Sequence, residues 1–552
     1  MSLILLALLF ISVLVCGYFL YGRFIEKYFA LDQRRETPAR EINDGNDFVP
    51  TQPFYLFAQH FSAIAAAGPI AGPIVACQAF GWLPCLLWIS LGVVFIGAVH
   101  DFAALAASIR HGATSLADIA KKNIGHRAGL AVLAFIWIAI VYIIVAFADI
   151  TAGSFVFIIE ELQSVKVSFN PGGAVAFASI LYLSLAILMG LTQRYLKPPL
   201  WLLTLLFVPA AFGVAWLGPT FSKIFLLDIR TWSLLILVYC AIASLLPVWL
   251  LLQPRGYLGG FILYFALAMG IIGIFFGGYH IEQPYFKSWD VGGSTGSLFP
   301  FLFVTIACGA CSGFHGLVCS GTTSKQIDRE THIRPIGYGA MLAEGFVAFI
   351  ALVIIMIASG DEIKGLKPGT IYGNGIGKFL TLIIGKENLP FAITLGAMAF
   401  STFVFDTLDV ATRLGRYIIQ ELVGWRDMKG AIFGTIITAG APALILLSAE
   451  EGSWVKFWTL FGASNQLLAG ITLLLISVWL KKTKRSSYFT LIPMFFIFII
   501  TLWALVKLAI GGASLINSIA AIILIVLALY VILSVIPVLA AKQSGTGGDP
   551  TC

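Results

Sequence analysis

Three cysteines and one histidine fall within twelve residues of the stretch 307–325, A-C-G-A-C-S-G-F-H-G-L-V-C-S-G-T-T-S-K. Thiolates and imidazoles are common ligands of zinc, so metal binding or redox chemistry is the first function to consider. The spacings of Cys308, Cys311, His315 and Cys319 predict that all four share one stripe of a single helix. Such a stripe, about 16 Å long, cannot surround one ion without ligands from elsewhere. We therefore predict no metal, and keep a membrane metal or redox protein as an alternative.

The same stretch is also rich in small residues and hydroxyl groups. A face of small side chains allows a second helix to approach closely, and a buried cysteine packs as a small apolar residue. The hydroxyl groups that end the stretch offer oxygen atoms suited to a hard cation or to a polar substrate group. The small residues are Gly309, Ser312, Gly313 and Gly316, and the candidate ion-coupling residues are Ser320, Thr322 and Thr323.

Two Gly-Pro pairs interrupt the apolar stretch 59–78, Q-H-F-S-A-I-A-A-A-G-P-I-A-G-P-I-V-A-C-Q. Each proline removes a backbone donor and clashes with the preceding turn. In hydrocarbon, the freed backbone groups are tolerated only where protein or a water-filled cavity surrounds them. Interrupted helices of this kind form the substrate and ion sites of secondary transporters. Gly68, Pro69, Gly72 and Pro73 are therefore candidate substrate-binding residues, with a plain proline kink as the alternative.

A second interruption is predicted in the stretch 239–257, Y-C-A-I-A-S-L-L-P-V-W-L-L-L-Q-P-R-G-Y. Pro247 lies in the middle of an apolar span, and Ser244 and Trp249 flank it. The two interrupted spans are five spans apart and run in opposite directions in the topology below. This is the relation expected of two five-helix halves of inverted topology.

Ionisable side chains inside apolar spans are candidates for function. Asp149 has no basic residue within two turns of its own helix, and burial of an unpaired carboxylate favours the protonated form. Asp149 and Glu344 are therefore predicted to couple proton movement. His60, like His315, is predicted to bind a substrate carboxylate or to relay protons, with a neutral packed histidine as the alternative. Asp409 and Arg413 have the i,i+4 spacing of an ordinary salt bridge.

The composition makes a lipid bilayer the solvent of these residues. Of the 552 residues, 59% are hydrophobic and 11% are charged, and the mean hydropathy is +0.95. Soluble proteins carry about 25% charged residues. Apolar runs of about 20 residues recur, so we predict an all-α polytopic membrane protein of about fifteen transmembrane helices. The predicted spans are 2–22, 55–79, 82–109, 128–158, 174–190, 199–217, 231–252, 257–277, 298–320, 337–359, 389–408, 430–448, 455–480, 488–508 and 513–540.

The positions of the basic residues orient these spans. With the N-terminus outside, the predicted inner loops hold 24 Lys and Arg residues and the outer loops hold eight. This bias predicts an N-out, C-in topology. It also explains the net charge of +7 without a nucleic-acid partner. The uncharged run 1–22 lacks the basic start of a signal peptide and is read as a retained span.

Several long strings resemble the carbon starvation protein A (CstA) family of bacterial inner-membrane transporters. The resemblance runs from about residue 55 to 470 and implies ion-coupled uptake of peptides, or of pyruvate in some relatives, during nutrient starvation. It also implies a five-plus-five inverted-repeat (LeuT-like) core in spans 2–11, in which spans 2 and 7 are the interrupted ones. The matching strings are Q-H-F-S-A-I-A-A-A-G-P-I-A-G-P, G-A-V-H-D-F, A-S-L-L-P-V-W-L-L-L-Q-P-R-G-Y-L, L-F-P-F-L-F-V-T-I-A-C-G-A-C-S-G-F-H, S-G-T-T-S-K-Q, P-I-G-Y-G-A-M-L-A-E, T-L-D-V-A-T-R-L-G-R-Y and F-G-A-S-N-Q-L-L-A.

The sequence thus predicts a secondary active transporter that imports small organic nutrients, most of all peptides, through the bacterial inner membrane. A proton-coupled pyruvate or monocarboxylate symporter is the alternative of the same class. No enzyme activity and no cofactor are expected, the coupling ion is H+ or Na+, and the lipid bilayer is the one expected macromolecular partner. No G-x-x-x-x-G-K-[ST] string is present, which argues against an ATP-driven pump. The predicted regions are 1–54 (first span and cytoplasmic loop), 55–380 (transport domain), 381–540 (C-terminal five-helix domain) and 541–552 (disordered tail).

Overall fold

The computed structural model describes most of the chain at the level of individual side chains. The described residues are 2–44, 48–65, 67–156, 170–247, 249–292, 296–425, 427–449, 454–511 and 514–540. The predicted disordered tail, 541–552, lies outside them. Within the described residues the regular elements are all helical, which confirms the all-α polytopic class.

The helices follow one another with short connections. The first group is α1 Leu3–Cys16, α2 Gly22–Phe29, α3 Pro38–Ile42, α4 Pro53–Ile64, α5 Gly68–Phe80, α6 Trp82–Gly92, α7 Ala98–Arg110, α8 Leu116–Asn123, α9 His126–Val156, α10 Pro171–Tyr195, α11 Leu200–Leu217, α12 Ile229–Leu245 and α13 Leu252–Phe276. The second group is α14 Leu298–Thr305, α15 Gly313–Gly321, α16 Gly339–Met356, α17 Gly360–Ile363, α18 Pro368–Ile384, α19 Leu389–Val423, α20 Met428–Ser448, α21 Trp454–Lys482, α22 Tyr488–Ile510 and α23 Leu515–Ala540.

The described part of the chain contains twelve helices that are long and apolar enough to cross a membrane, or thirteen if the bent pair α4–α5 counts as one span. All fifteen predicted stretches are helical, but the count of fifteen is not confirmed. The stretch 231–252 contains only the shorter helix α12, and the stretch 298–320 consists of two short helices. The sequence also failed to predict α18, whose glycines and polar residues lower its hydropathy. The N-out, C-in orientation stays a prediction.

The first interruption lies where the Gly-Pro pairs predicted one. Helices α4 and α5 meet at a 44° bend across residues 65–67. Pro69 then falls in the first turn of α5, where a missing backbone donor has no intrahelical partner to lose. The prolines therefore start a new helix after the break, and Pro73 continues inside it.

The second interrupted helix in this part of the chain is α14–α15, which was predicted to be continuous. Residues 306–312 are not helical, so the expectation of one stripe through Cys308, Cys311, His315 and Cys319 is wrong. Glycine costs about 1 kcal/mol inside a helix, and Gly309 and Gly313 border this segment. Side chains from other helices bind the freed backbone groups of this segment.

The stretch around Pro247 is also non-helical, between α12 and α13. However, α13 has 25 residues and is long enough to cross the membrane by itself. The break at Pro247 therefore connects two helices. The pairing of spans 2 and 7 as the two interrupted helices is corrected by the contacts, since α5 packs against α14.

The packing repeats itself in two halves. Helix α5 of the first interrupted pair packs on α16, and α15 of the second pair packs on α7. In the same way, α13 packs on α4 and α19, whereas α21 packs on α14 and α9. Helices α12 and α20 pack on each other and on both α9 and α19. This reciprocity relates α4–α9, α12 and α13 to α14–α16 and α19–α21, with α10–α11 as an additional pair.

The polar stretch 23–54 covers one end of this core. Arg35 and Arg110 both contact Glu330, at 2.9 Å and 3.1 Å, and the Glu330 side chain is fully buried. Arg40 forms a further ion pair of 2.7 Å with Asp328. This hydrogen bond and charge hold the pKa of Asp328, which lies outside the membrane spans, below its usual value.

Candidate ion-coupling site between the interrupted helices

The two interrupted helices touch through glycines of the predicted substrate-binding stretch. A methyl group placed on Gly72 would lie 2.5 Å from the carbonyl oxygen of Thr305, and one on Gly68 would lie 2.3 Å from Cys308 Sγ. Real carbon atoms do not approach so closely, so only glycine allows this packing. Gly68, Pro69, Gly72 and Pro73 are all buried at this contact.

Substitution of Gly72 by alanine is expected to push α5 away from the α14 end. Overpacking of this kind costs about 1–3 kcal/mol and requires the backbone to shift. We expect a lower thermal unfolding midpoint in detergent and reduced uptake in proteoliposomes. Gly213→Ala on α11 is the matched control, because no atom lies within 4 Å of an added methyl group there. Equal behaviour of the two variants would contradict the close contact at Gly72.

Asn465 and Gln466 of α21 bind the freed backbone groups of the second interruption. Asn465 Oδ1 accepts a 2.8 Å hydrogen bond from the backbone N–H of Phe314, and its Nδ2 donates to Ser312 Oγ at 3.0 Å. Gln466 Nε2 donates to the carbonyl of Phe303 at 3.0 Å. Sequence reasoning missed both amides, although the string F-G-A-S-N-Q placed two buried amides in an apolar span.

Two tryptophans complete this support. Trp458 Nε1 donates to the carbonyl of Thr305 at 3.2 Å, and Trp88 Nε1 donates to the carbonyl of Ile306 at 3.3 Å. Carbonyls freed by a helix break in a membrane protein need such partners. The open segment 306–312 is therefore held from α6 on one side and from α21 on the other.

A buried ionic cluster lies beside this segment. His315 Nδ1 is 2.9 Å from Asp101 Oδ2, and His315 Nε2 is 3.1 Å from Glu344 Oε2. The three side chains come from α15, α7 and α16 and are almost completely excluded from solvent. The structure thus unites two predicted residues, His315 and Glu344, with Asp101, which the sequence placed in a span without assigning it a role.

Two more histidines surround the cluster. His100 Nδ1 is 2.7 Å from Asp101 Oδ1, and His60 Nδ1 is 2.8 Å from Thr323 Oγ1. Within the described residues, the other ring nitrogens of His60 and His100 have no hydrogen-bond partner, and neither do the two oxygens of Glu344, whose contact with His315 lacks hydrogen-bond geometry. Buried polar atoms are normally paired, so these positions are suited to exchange a proton or to bind water.

The hydroxyl groups predicted to couple ions differ in their surroundings. Ser320 Oγ donates to the carbonyl of Gly316 and Thr322 Oγ1 to that of Val318, within their own helix. Only Thr323 reaches another helix, at His60. The ion-coupling role of all three stays a prediction.

The cysteines of the opening stretch have separate surroundings. Cys308 Sγ accepts a 3.3 Å hydrogen bond from Asn465, and Cys319 Sγ lies 3.6 Å from the carbonyl of Asp101. Cys311 is buried among the interrupted helices. In the described ranges no three His, Cys, Asp or Glu side chains converge as a metal site would require. The thiols here pack as small buried groups.

The second predicted substrate stretch lies elsewhere. Ser244 is hydrogen-bonded to Thr435 at 2.9 Å, and Trp249 is stacked under the guanidinium of Arg194. Arg413 donates to the carbonyls of Ala243 and Leu246, which end α12 before Pro247. The structure therefore does not bring Ser244, Pro247 and Trp249 to the contact of α5 with α14.

Asp149 is separate from the His315 cluster as well. It is buried on α9, and no described hydrogen bond or ion pair joins it to Asp101 or Glu344. The Lys367 side chain lies against Gly153, one turn away, and its charge acts on Asp149. The basic neighbour that the helix itself lacks is thus supplied by the segment before α18.

A second buried ionic cluster corrects the salt bridge predicted along α19. Asp409 Oδ2 is 2.5 Å from Arg255 Nη1, and Asp406 Oδ1 is 2.6 Å from Arg255 Nε. Arg413, the predicted partner of Asp409, instead caps α12. The i,i+4 rule could not predict this outcome because a more deeply buried guanidinium competes for Asp409.

Interrupted helices in contact at the centre of a polytopic bundle, beside buried proton-titratable groups, define a secondary membrane transporter. Comparison with known proteins identifies the family. The model of the family described as "Carbon starvation protein CstA" matches residues 2–373 and 360–504. The chain belongs to this family, and it is a multi-pass membrane transporter, not an enzyme.

Named relatives align over most of their length. The peptide transporter CstA of Bacillus subtilis is 31% identical over 588 residues, covering 95% of this chain and 95% of the relative. The peptide transporter CstA of Campylobacter jejuni is 32% identical over 565 residues, covering 89% and 78%. The pyruvate/proton symporter BtsT of Escherichia coli K12 is 31% identical over 590 residues, covering 90% and 80%.

Solved transporter structures show more distant similarity. A mutant of the Eremococcus coleocola manganese transporter has a TM-score of 0.43 and 13% identity, covering 90% of this chain and 98% of that structure. MhsT in complex with L-phenylalanine has a TM-score of 0.44 and 15% identity, covering 88% and 98%.

Proposed function

We propose that this chain is a proton-coupled importer of short peptides in the bacterial inner membrane. The observation that carries the proposal is the position of His315. Its imidazole lies between two buried carboxylates of other helices, on the segment that resumes after a helix interruption. Histidine is the side chain most suited to gain and lose a proton near neutral pH.

The geometry suggests how proton binding acts on the helices. With His315 protonated, its ion pairs with Asp101 and Glu344 hold α15 against α7 and α16. Loss of a proton leaves an excess of buried negative charge, which is costly in a membrane interior. The proton therefore biases the position of α15, and with it the contact between α14 and α5 where Gly68 and Gly72 lie.

The peptide substrate follows from the names of several relatives, which are called peptide transporters. Pyruvate is the second candidate because one relative is called a pyruvate/proton symporter. Both substrates present a carboxylate, which the N-terminal ends of α5 and α15 favour through their helix dipoles. Asp149, with Lys367 beside it, is proposed as a second residue that assists proton movement.

Uptake by purified protein in proteoliposomes tests the proposal. We expect labelled dipeptides to accumulate when the outside is acidic, and not when a sodium gradient alone is imposed. Labelled pyruvate is measured in the same vesicles. Accumulation of pyruvate alone would replace the substrate, a requirement for sodium would replace the coupling ion, and uptake of neither substrate would overturn the proposal.

A further inference from the structure

Arg255 is the most deeply buried guanidinium of the described residues, with no measurable solvent exposure. It lies in the first turn of α13 and contacts Asp406 and Asp409 on α19, at 2.6 Å and 2.5 Å. It also donates to the hydroxyl oxygen of Tyr239 on α12. Three helices thus converge on one positive charge.

Additional oxygen atoms face this centre without partners. Asp406 Oδ2, Ser62 Oγ and Thr402 Oγ1 are buried, and within the described ranges none has a hydrogen-bond partner of acceptable geometry. Ser62 faces the Asp406 carboxyl from α4, one turn before the interruption at 65–67, and Thr402 lies one turn before Asp406 on α19. The centre therefore reaches the first interrupted helix.

The charged groups of this centre are almost balanced. Arg413, on α19, acts on Asp409 from one turn away, although its own hydrogen bonds go to the end of α12. Arg255 thus supplies the positive charge that directly contacts both carboxylates. Without it, two carboxylates would remain beside the oxygens of Tyr239, Ser62 and Thr402, a set of ligands that hard cations prefer.

Arg255 also differs from His315 in one property. Each side chain lies between two carboxylates at an interrupted helix, but a guanidinium does not release its proton in a protein. His315 can therefore exchange its charge, whereas Arg255 holds its charge permanently.

We propose that Arg255 is a fixed internal cation that fills an oxygen-rich cation site between α4, α13 and α19. In this position it holds α4 to α19 and removes any need for a metal ion there. The ligand class of the underlying site is a monovalent cation. This inference rests on the transporter function only for its uptake readout, since cation binding can be measured on the purified protein.

The test is to empty the site and offer a replacement. In Arg255→Ala, we expect the thermal unfolding midpoint in detergent to rise when millimolar guanidinium chloride or NaCl replaces choline chloride at equal ionic strength. The unsubstituted protein should show no such shift. In proteoliposomes, uptake by Arg255→Ala should fall by about tenfold or more in choline medium, since breaking a buried ion pair is strongly unfavourable. Sodium or guanidinium on both sides should restore part of it.

Two further variants keep the test decisive. Arg255→Lys retains the positive charge and should transport without a cation requirement. Arg413→Ala removes a neighbouring guanidinium that binds backbone carbonyls, and it should gain no cation requirement. A folded Arg255→Ala protein that ignores both cations, or one that transports fully without them, would overturn the proposal. If Arg255→Ala does not fold, a folded but inactive Arg255→Lys would overturn it as well.

Discussion

Replacement of His315 by glutamine is expected to abolish uptake driven by a proton gradient. Glutamine keeps a polar side chain of similar length, but it cannot carry the proton that lies between Asp101 and Glu344. Loss of a positioned proton-transfer group typically lowers a rate by about 100-fold or more. Initial rates of labelled dipeptide uptake into proteoliposomes, with acidic and neutral exteriors, measure the effect.

Substrate binding separates loss of coupling from loss of folding. Purified His315→Gln should still be monodisperse, and its unfolding midpoint should still respond to the transported substrate. Glu344→Gln should likewise lose dependence on the pH gradient, because it removes one of the two carboxylates that face His315. His280→Gln, at an exposed histidine of the α13–α14 connection, is the matched control. Gradient-driven uptake by His315→Gln at the normal rate would exclude His315 as the coupling residue.

Substitution of Asn465 by leucine should destabilise the transporter more than any other single amide change. The variant loses the acceptor of the Phe314 N–H and the donor to Ser312 Oγ and Cys308 Sγ. Each buried polar group left without a partner costs about 1–3 kcal/mol. We expect a markedly lower unfolding midpoint and little uptake, since the segment 306–312 loses its support from α21.

A second amide change provides the comparison. Gln420→Leu removes an amide near the surface end of α19 whose one printed hydrogen bond is long, at 3.4 Å. Its unfolding midpoint should change little. An Asn465→Leu protein as stable and active as Gln420→Leu would mean that the interrupted segment does not depend on α21.

Much of this protein followed from its sequence. The membrane class followed from composition, because apolar runs of about 20 residues leave few alternatives in water. The first interruption followed from two Gly-Pro pairs, because proline acts on the backbone of its own helix. His315, Glu344 and His60 could be proposed because ionisable groups are rare in apolar spans.

Other features depended on contacts between distant helices. The second interruption contains no proline, and it forms because Asn465, Gln466, Trp88 and Trp458 bind its open backbone groups. Asp409 pairs with Arg255, 154 positions away in the sequence, and not with its helical neighbour Arg413. The sequence has no local signal for such contacts, because they depend on which helices become neighbours.

The stretch 307–325 shows the division most clearly. Its sequence by itself determined small residues, thiols and one histidine within an apolar region, and it correctly predicted close helix packing. Only the tertiary structure decided that the helix breaks between Thr305 and Gly313 and that His315 lies between Asp101 and Glu344. Helical periodicity describes neighbours along one helix, whereas a buried charge is stabilised by whichever partners the other helices bring to it.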